Sequence, residues 1–358
     1  MSDRVSDYDY EVPQEAVAQV PAARREDARL LVVARGAAER GASGGLRDAG
    51  IPYLPALLRP GDLLVLNDVR VRPARLAARR ATSGGRVSVL VLDVGEGGRQ
   101  ARVLLGTRGT PLPGERLLLA GDTWRIAAAR GEGVFDVLVE QGRDLPSLLA
   151  DVGRMPLPPY IERGEEADPR DALDRERYQT TFARGGPGEA AAAPTAGLHL
   201  TASLLAELAA RGVEVAHLSL AVGTGSFRPL RGASLDEHVM HAERYTIPPD
   251  VAARFAAVRE RGARVLAVGT TVVRAMESAV AADGRTLRAG AGETALFIGP
   301  GHRFAAVDAL LTNFHQPRST LLVLVSAFAG LETVRAAYRH AIGSGYRLFS
   351  YGDAMLVS

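Results

Sequence analysis

Short apolar runs alternate with helix-forming segments over the second half of the chain. Leu200–Arg211 and Pro249–Arg261 have the pattern of helices, and each is followed by a glycine, a residue that often ends a helix. Val213–Leu220 and Arg264–Val268 are apolar runs that predict buried strands. Because such alternation over short connections is typical of parallel sheets, it predicts an α/β fold with a mostly parallel sheet covered by helices.

The same alternation continues towards the end of the sequence. Thr271–Ala282 predicts a helix, and Ala305–Thr312 and Leu321–Val325 are further strand candidates. The last candidate lies in the most apolar run, Thr320–Leu331. That run is shorter than the roughly 20 residues needed to span a bilayer. We therefore expect a buried strand running into a helix there, and no membrane segment.

The first half of the chain has a different pattern. Asp62–Leu66 predicts a buried strand that ends at Asn67. From residue 69 to residue 153, short apolar runs are separated by turns rich in Gly, Pro and Asp, a spacing typical of a small antiparallel barrel. We predict an inserted antiparallel β-barrel domain of residues 69–153 within a discontinuous α/β domain of residues 1–68 and 154–358.

The composition excludes several classes of protein. Cysteine is absent, which removes disulfides, thiolate nucleophiles and cysteine-based zinc sites. The N-terminus is acidic and lacks the apolar stretch of a signal peptide. Neither a P-loop nor a GxSxG elbow occurs, which argues against P-loop NTPases and serine hydrolases. We expect a soluble, cytoplasmic monomer that does not associate with membranes.

The basic residues are unevenly distributed. All 43 are arginine, yet the net charge is only +2, so the overall charge is a weak indication of nucleic-acid binding. One stretch is basic with no acidic residue in it; its arginines are Arg70, Arg72, Arg75, Arg79, Arg80 and Arg86. Such a stripe either binds phosphate or is a solvated surface.

Polar residues follow several of the predicted strands, where open α/β sheets bind their ligands. These candidates are Asn67, Asp68, Arg70, Thr270, Thr271, Arg274, Asn313, His315, Tyr351 and Asp353. Thr270 and Thr271 either cap a helix or bind an anion at its N-terminus. The turn Gly223–Phe227 resembles half of a dinucleotide loop, but Arg228 stands where the third glycine is needed.

Three histidines are candidates for acid–base chemistry. Thr195 and His199 lie just before the helix of Leu200–Arg211, whose dipole favours a neutral imidazole. A lone histidine there is either a base or a structural residue. His238 and His241 are three apart beside carboxylates and would share one face of a helix. Their spacing lacks the HExxH pattern and a third ligand, so we predict no metal here and expect substrate contact or local hydrogen bonding instead.

Eight strings of the chain, in this order, resemble the landmarks of one family, the S-adenosylmethionine:tRNA ribosyltransferase-isomerases of queuosine biosynthesis. The strings cover nearly the whole sequence: GDLLVLNDVRVRPARL (Gly61–Leu76), MPLPPYIER (Met155–Arg163), RYQTTFA (Arg177–Ala183), AAPTAGLHLT (Ala192–Thr201), DEHVMHAERY (Asp236–Tyr245), VLAVGTTVVRAMES (Val265–Ser278), LLTNFHQPRSTLLVLVSAFAG (Leu310–Gly330) and GYRLFSYGDAML (Gly345–Leu356).

The resemblance implies a reaction and two substrates. The ribosyl part of S-adenosylmethionine would be transferred to the aminomethyl group of the 7-deazaguanine base preQ1 at the tRNA wobble position and isomerised. Epoxyqueuosine would form, and adenine and methionine would leave. S-adenosylmethionine would be a substrate, so the resemblance implies no cofactor and no metal. It also implies an α/β domain with an inserted β-barrel.

The resemblance also suggests roles for the candidate residues. A base that removes a C5′ proton next to the sulfonium would be His199, His238 or His241, since imidazole titrates near neutral pH. Protonated Asp353, or Arg274, would donate to the departing adenine. Substrate contacts would come from Asn67, Asp68, Arg70, Thr195, Thr270, Thr271, Asn313, His315 and Tyr351, and the arginines after Asp68 would contact tRNA phosphates.

Two features depart from the family pattern. Ala221 stands where the family usually has a histidine, which moves the prediction for the base to His199 and His241. The segment Arg35–Pro55 is rich in glycine where the family tends to have a strand with His and Phe. The alternatives are a tRNA-binding paralogue with altered or lost ribosyl transfer, and a methyltransferase that uses S-adenosylmethionine differently.

Overall fold

The structure is a computed structural model, and it describes residues 3–39, 44–164, 167–184, 190, 192–221, 230 and 232–358. The chain forms two compact units. The sheet unit comprises residues 1–70, 158–161 and 179–358, and the barrel unit comprises residues 71–157 and 162–178.

The described strands and helices alternate most regularly after residue 200. The strands are β1 (Arg29–Val33), β2 (Leu46–Gly50), β3 (Leu63–Asn67), β4 (Arg75–Arg80), β5 (Arg86–Val94), β6 (Gln100–Thr107), β7 (Arg116–Leu119), β8 (Asp122–Gly131), β9 (Val134–Gln141), β10 (Glu214–Leu220), β11 (Glu243–Ile247), β12 (Val265–Val268), β13 (Gly290–Thr294), β14 (Ala309–Asn313) and β15 (Ala354–Val357). The α-helices are α1 (Leu54–Leu57), α2 (Leu145–Val152), α3 (Asp171–Arg177), α4 (Ala202–Ala210), α5 (Pro249–Glu260), α6 (Thr270–Ala279), α7 (Thr320–Ala329) and α8 (Leu331–Gly343).

The sheet unit is built on one mixed sheet. Its described strands run in the order β13-β11-β10-β3-β12-β14-β15-β1-β2. The central strands β10, β3, β12 and β14 are parallel to one another, and β15 is parallel to β1. The other four pairs are antiparallel. The predicted fold class, an α/β sheet with an inserted barrel, is confirmed, and the sheet is parallel at its centre.

Helices cover the sheet on both faces. Leu63 and Val65 of β3 pack into a core that includes residues of α5, α6, α7 and α8. Leu64 and Leu66 of the same strand pack into a second core with residues of α1 and α4. Successive side chains of a strand point to opposite faces, so a strand buried on both sides needs an unbroken apolar sequence. The run Leu63–Leu66 therefore indicated a strand correctly.

The prediction of a strand at Leu321–Val325 is wrong. These residues lie inside helix α7, which begins after Ser319, whose hydroxyl accepts a hydrogen bond from the amide of Leu322. Eight of its ten residues are buried. A helix that is buried on almost every side has no polar stripe, so its sequence cannot be told from that of a buried strand by periodicity.

None of the described helices is by itself long and apolar enough to cross a membrane. Taken together, α7 and α8 reach that length and composition, but they meet at an angle of 112°. Buried side chains of both helices belong to the core of the sheet unit.

The barrel unit is a closed antiparallel barrel in the order β4-β5-β6-β9-β8-β7, with β7 pairing back to β4. Alternate residues of its strands, such as Val87, Val89 and Val91 of β5, are buried inside. The unit also includes α3, beyond the predicted boundary at residue 153. One reason is Arg175 of this helix, whose guanidinium donates to the carbonyls of Ala150 and Gly153 at 3.1 and 2.6 Å.

The barrel core allows a stability prediction. Leu117 is fully buried and pairs across the ladder with Trp124, the single tryptophan of the chain. We expect Leu117→Ala to lower the free energy of unfolding of the barrel unit by about 2–5 kcal/mol, because it leaves a cavity. Tryptophan fluorescence during urea denaturation measures this unit selectively. Leu118→Ala, at a side chain that is 47% exposed, should change the value by no more than about 0.5 kcal/mol; equal effects would contradict the packing described.

Candidate active site

A cleft lies at the edge of the sheet where β12 and β14 end. Its space, including the mouth open to solvent, is about 740 Å³. The residues that line it are Tyr160, Ala193, Pro194, Thr195, Ala196, Gly269, Thr270, Thr271, Arg274, Thr312, Asn313, Phe314, His315, Gln316, Ser319, Leu321, Phe349 and Ser350. All of them belong to the sheet unit.

Helix α6 begins at this cleft. Its N-cap residue is Gly269, with φ 94°, a conformation that favours glycine, and this residue offers no side chain to cap the helix. Thr270 and Thr271, the first two helical residues, both line the cleft. The first amide groups of a helix have no acceptor within the helix. The start of α6 therefore presents backbone donors and two hydroxyl groups.

Asn67 joins the ends of three elements at the edge of the sheet. Its side-chain amide donates to the carbonyl of Leu220 at 3.0 Å and to the hydroxyl of Thr271 at 3.2 Å. Its oxygen accepts from the amides of Leu220 and Val69. Asn67 is almost fully buried and does not line the cleft, so it holds Thr271 in place from behind.

Asn313 performs a similar task at the end of β14. Its oxygen accepts from the hydroxyl of Thr195 at 2.8 Å, and its nitrogen donates to the carbonyl of Phe349 at 3.3 Å. The same nitrogen lies 3.3 Å from Nε2 of His199. Because an amide nitrogen can only donate, Nε2 of His199 accepts and the imidazole proton is on Nδ1.

His199 is held in its neutral form. Burial, and then the positive charges of Arg25 and Arg347, lower its pKa to about 4. His199 lies behind Asn313 and is not among the residues that line the cleft. Its predicted role as a base remains a prediction, and the observed geometry makes it a support for Asn313.

His315 is the histidine that lines the cleft. Its Nε2 lies 2.8 Å from the hydroxyl of Thr312, and its backbone amide donates to the hydroxyl of Tyr338. Burial lowers its pKa to about 3, so the ring is neutral at physiological pH. A neutral imidazole here can exchange hydrogen bonds with a ligand without adding a charge.

Arg274 lines the cleft, but its guanidinium is engaged elsewhere. It forms a buried ion pair with Glu243 and donates to the carbonyls of Leu296 and Thr294. Both charged side chains are 4% exposed. Breaking such a pair leaves a buried charge, so Arg274 connects α6 to β11 and β13 and has few donors left for adenine.

Asp353 lies away from the cleft lining. One of its oxygens accepts from the amide of Arg29 and the other from the amide of Arg347, each at 2.8 Å. Burial raises the pKa of Asp353, and the two hydrogen bonds act in the opposite direction. The side chain therefore fixes the turn before β15. Its predicted role as an acid stays untested.

The remaining candidates lie around this region without lining the cleft. Tyr351 is buried, and Arg70 is exposed. Asp68 accepts a hydrogen bond from the hydroxyl of Ser219 at 2.6 Å and lies 3.7 Å from Arg184. The turn Gly223–Phe227 lies outside the described residues.

His238 and His241 are not on a helix. His238 directly follows a short 3-10 turn and lies against the ring of Phe297, with 5.8 Å between ring centroids, while His241 is exposed. Burial, and then His241, lower the pKa of His238. Within the described part of the chain, no group of three or more His, Cys, Asp or Glu side chains is arranged to hold a metal.

Several cleft residues were not predicted. The hydroxyl of Tyr160 lies 2.6 Å from that of Ser350, and burial raises its pKa to about 12. The ring of Tyr160 packs on Phe349, a residue with φ 70°. Tyr160 could have been found from its place in the string MPLPPYIER. Nothing in the sequence indicates the positive φ of Phe349.

Comparison with known proteins adds to this geometry. A family model described as queuosine biosynthesis protein matches residues 5–357. The chain belongs to this family. The S-adenosylmethionine:tRNA ribosyltransferase-isomerase of Anaeromyxobacter sp. (strain Fw109-5) is 53% identical over 99% of each chain. That of Acidithiobacillus ferrooxidans is 50% identical over 98% of this chain and 97% of its own.

A solved structure of the family is also similar. The crystal structure of S-adenosylmethionine tRNA ribosyltransferase from Thermotoga maritima has a TM-score of 0.53 and 32% sequence identity. The match covers 98% of this chain and 100% of that chain. Both identity and coverage agree with membership of the queuosine biosynthesis family.

Ala221, at the position where the resemblance predicted a histidine, directly follows β10. Its amide donates to the carbonyl of Arg244 at 3.0 Å. It lines a shallow depression with Ser219, Tyr245 and Glu293, among others.

The depressed pKa of His199 predicts a pH dependence of stability in this family member. The unfolded chain binds a proton near pH 6.5, and the folded chain binds it near pH 4. The contribution of His199 to the free energy of unfolding is therefore fully present above pH 6.5. It falls by about 3 kcal/mol as the pH drops towards 4. Denaturation of the protein and of His199→Gln, which keeps an acceptor for Asn313, should show a shallower fall in the variant.

The two stability curves should converge as the pH falls. Parallel curves between pH 6.5 and pH 4 would show that His199 does not titrate in this window. His315 acts in the same direction, so the variant retains part of the pH dependence.

Proposed function

We propose that the protein transfers and isomerises the ribosyl moiety of S-adenosylmethionine onto the preQ1 base at the wobble position of tRNA. Epoxyqueuosine-tRNA would form, with release of adenine and methionine. The observation that carries the proposal is the convergence of Thr195, Thr270 and Asn313, from three distant segments, on one cleft. The names of the full-length relatives support the same reaction.

The proposal includes the conditions under which the protein acts. S-adenosylmethionine is consumed as a substrate, and we propose that no other cofactor or metal takes part. We also propose that the protein acts as a cytoplasmic monomer, since tRNA is modified in the cytoplasm. These points rest on the family resemblance and on the chemistry of the reaction.

The three histidines predicted as the general base differ in how accessible they are to a substrate. A general base must come within hydrogen-bond reach of the proton it removes. His199 is enclosed and already accepts a hydrogen bond from Asn313, which favours a positioning role. His238 is half-buried and His241 is exposed, so substrate can approach either of them. Neither of them is among the residues that line the cleft, so His241, His238 and His199 all stay candidates for the base.

The reaction can be tested directly. The protein is incubated with S-adenosylmethionine and tRNA that carries preQ1, and the digested nucleosides are analysed by mass spectrometry. We expect epoxyqueuosine, with one adenine released for each nucleoside formed. S-adenosylhomocysteine in place of adenine would indicate a methyltransferase. Bound tRNA with intact S-adenosylmethionine would indicate a paralogue without ribosyl transfer.

The same assay separates the roles of the histidines. His241→Asn or His238→Asn should lower kcat by about 100-fold or more if that imidazole is the base. His340→Asn is the matched control, because His340 lies on α8 and contacts Asp48 on the surface. Full activity in both His241→Asn and His238→Asn would exclude these two side chains and leave His199 as the candidate for the base.

The barrel unit carries a surface suited to the second substrate. Among the residues that the structure describes, a groove on this unit is lined by no acidic side chain and by five arginines, which are Arg75, Arg80, Arg86, Arg108 and Arg154. Two of them are neutralised by carboxylates outside the lining, Arg80 by Glu115 and Arg154 by Asp171. A wide, positively charged groove favours a phosphodiester backbone.

Arg75 and Arg108 also line this groove, and neither makes an ion pair among the described residues. Burial, and then the charge of Arg154, lower the pKa of Arg75. A guanidinium beside a second guanidinium is stabilised when an anion binds between them. We propose that this groove, here called the arginine groove, contacts the phosphates of tRNA.

The arginine groove predicts a change in salt dependence. Replacing Arg75 and Arg108 by alanine should weaken tRNA binding and reduce the slope of log K against log salt by about 1 for each lost phosphate contact. Filter binding at several salt concentrations measures the slope. Arg130→Ala is the control, since Arg130 on the same barrel is paired with Asp136. An unchanged slope in the double variant would exclude the groove as a phosphate surface.

A further inference from the structure

Two helices of ordinary length begin at the cleft, and they differ in how their first turn is satisfied. Helix α7 is capped by Ser319, whose hydroxyl accepts from the amide of Leu322 at 3.2 Å. Helix α6 begins after Gly269, which has no side chain, and no other residue that the structure describes caps it. Since a capping residue is worth roughly 1 kcal/mol, an uncapped start at a cleft points to a group supplied from outside the chain.

The side chain of Thr270 is a second, independent indication of a ligand. Thr270 is 5% exposed and lines the cleft. Its hydroxyl makes no hydrogen bond with any residue that the structure describes. It is also not among the fully occluded polar atoms that lack a partner, so its oxygen opens onto the cleft. A buried hydroxyl without a partner costs free energy unless a ligand satisfies it.

The electrostatics of the lining favour a negative group at this position. The start of a helix carries a partial positive charge. The described lining includes no carboxylate, Arg274 is neutralised by Glu243, and the low pKa of His315 keeps its ring neutral. Thr271 can add a donor, because its oxygen already accepts from Asn67 and its own proton remains available.

We propose that the start of α6, with the hydroxyl of Thr270, binds the carboxylate of the methionine part of S-adenosylmethionine. The inference rests on the proposed function, which supplies this substrate. The carboxylate is the single anionic group of S-adenosylmethionine, and its sulfonium and ammonium groups would be repelled by a helix N-terminus. Binding the carboxylate at α6 therefore fixes the direction in which the nucleoside enters the cleft.

The test compares two nucleosides that differ only in this group. Decarboxylated S-adenosylmethionine keeps the adenosine, the sulfonium and the amine. With preQ1-tRNA at saturation, kcat/KM for adenine release should be at least about tenfold higher for S-adenosylmethionine, the usual effect of hydrogen bonds to a charged group. Equal values on the unaltered protein would overturn the proposal without the need for any variant.

A substitution then assigns the effect to Thr270. Thr270→Val should lower kcat/KM for S-adenosylmethionine by about tenfold and leave that for the decarboxylated compound unchanged. Thr270→Ser should restore the preference. Thr286→Val is the matched control, since its hydroxyl lies on an exposed turn and bonds to Asp283. An equal loss with both nucleosides would mean that Thr270 acts on the fold alone.

Two other outcomes are distinguishable. If Thr270→Val weakens tRNA binding measured without S-adenosylmethionine, the anion at α6 is an RNA phosphate and the proposal is wrong. If the unaltered protein releases no adenine from either nucleoside, the proposed function itself fails. Adenine release with no preference between the nucleosides overturns the carboxylate site and leaves the proposed function intact.

Discussion

Two buried side-chain amides hold the edge of the central sheet together, and the loops of the cleft depend on them. Asn67 at the end of β3 binds backbone at Leu220 and Val69 and the hydroxyl of Thr271. Asn313 at the end of β14 connects Thr195 with the loop before β15. Where strands stop pairing, backbone groups need other partners, and an amide offers both a donor and an acceptor.

This arrangement leaves the cleft with little net charge of its own. Arg274 is paired with Glu243, and the low pKa values of His199 and His315 keep both rings neutral. In such an environment the partial charge of a helix terminus and a few hydroxyl groups have more influence than they would in water. A cationic substrate with one anionic end would be oriented by these groups without a fixed ion pair.

The sequence predicted which polar residues lie at this edge of the sheet, but it did not predict which partners they contact. Asn67, Thr270 and Asn313 were identifiable because each follows an apolar run, and parallel strands end at the same edge. The partner of Arg274 is Glu243, and Asp353 accepts from the amide of Arg29. Such partners are distant in sequence, and nothing in local composition reveals them.

The secondary-structure elements likewise divide into those that the local sequence reveals and those that it does not. Elements with an apolar face or a glycine at their end, such as β3, β10, α4 and α5, were predicted within a few residues, whereas β1, β11 and α8 were not predicted. Helix α7 was missed since the core surrounds it. The 3-10 turn that places His238 outside a helix was missed too, because two histidines three apart fit a helix and a turn equally well.

The strand order has a consequence for the time course of folding during translation. β3 lies between β10 and β12, and β15 separates β14 from β1. β1 and β3 leave the ribosome early, whereas the strands β10, β12 and β15 that pair with them emerge much later. Until then the apolar side chains of β1 and β3 are exposed. The six barrel strands are contiguous and can close first. A nascent chain would thus carry a finished barrel while the cleft of the sheet unit is still unformed.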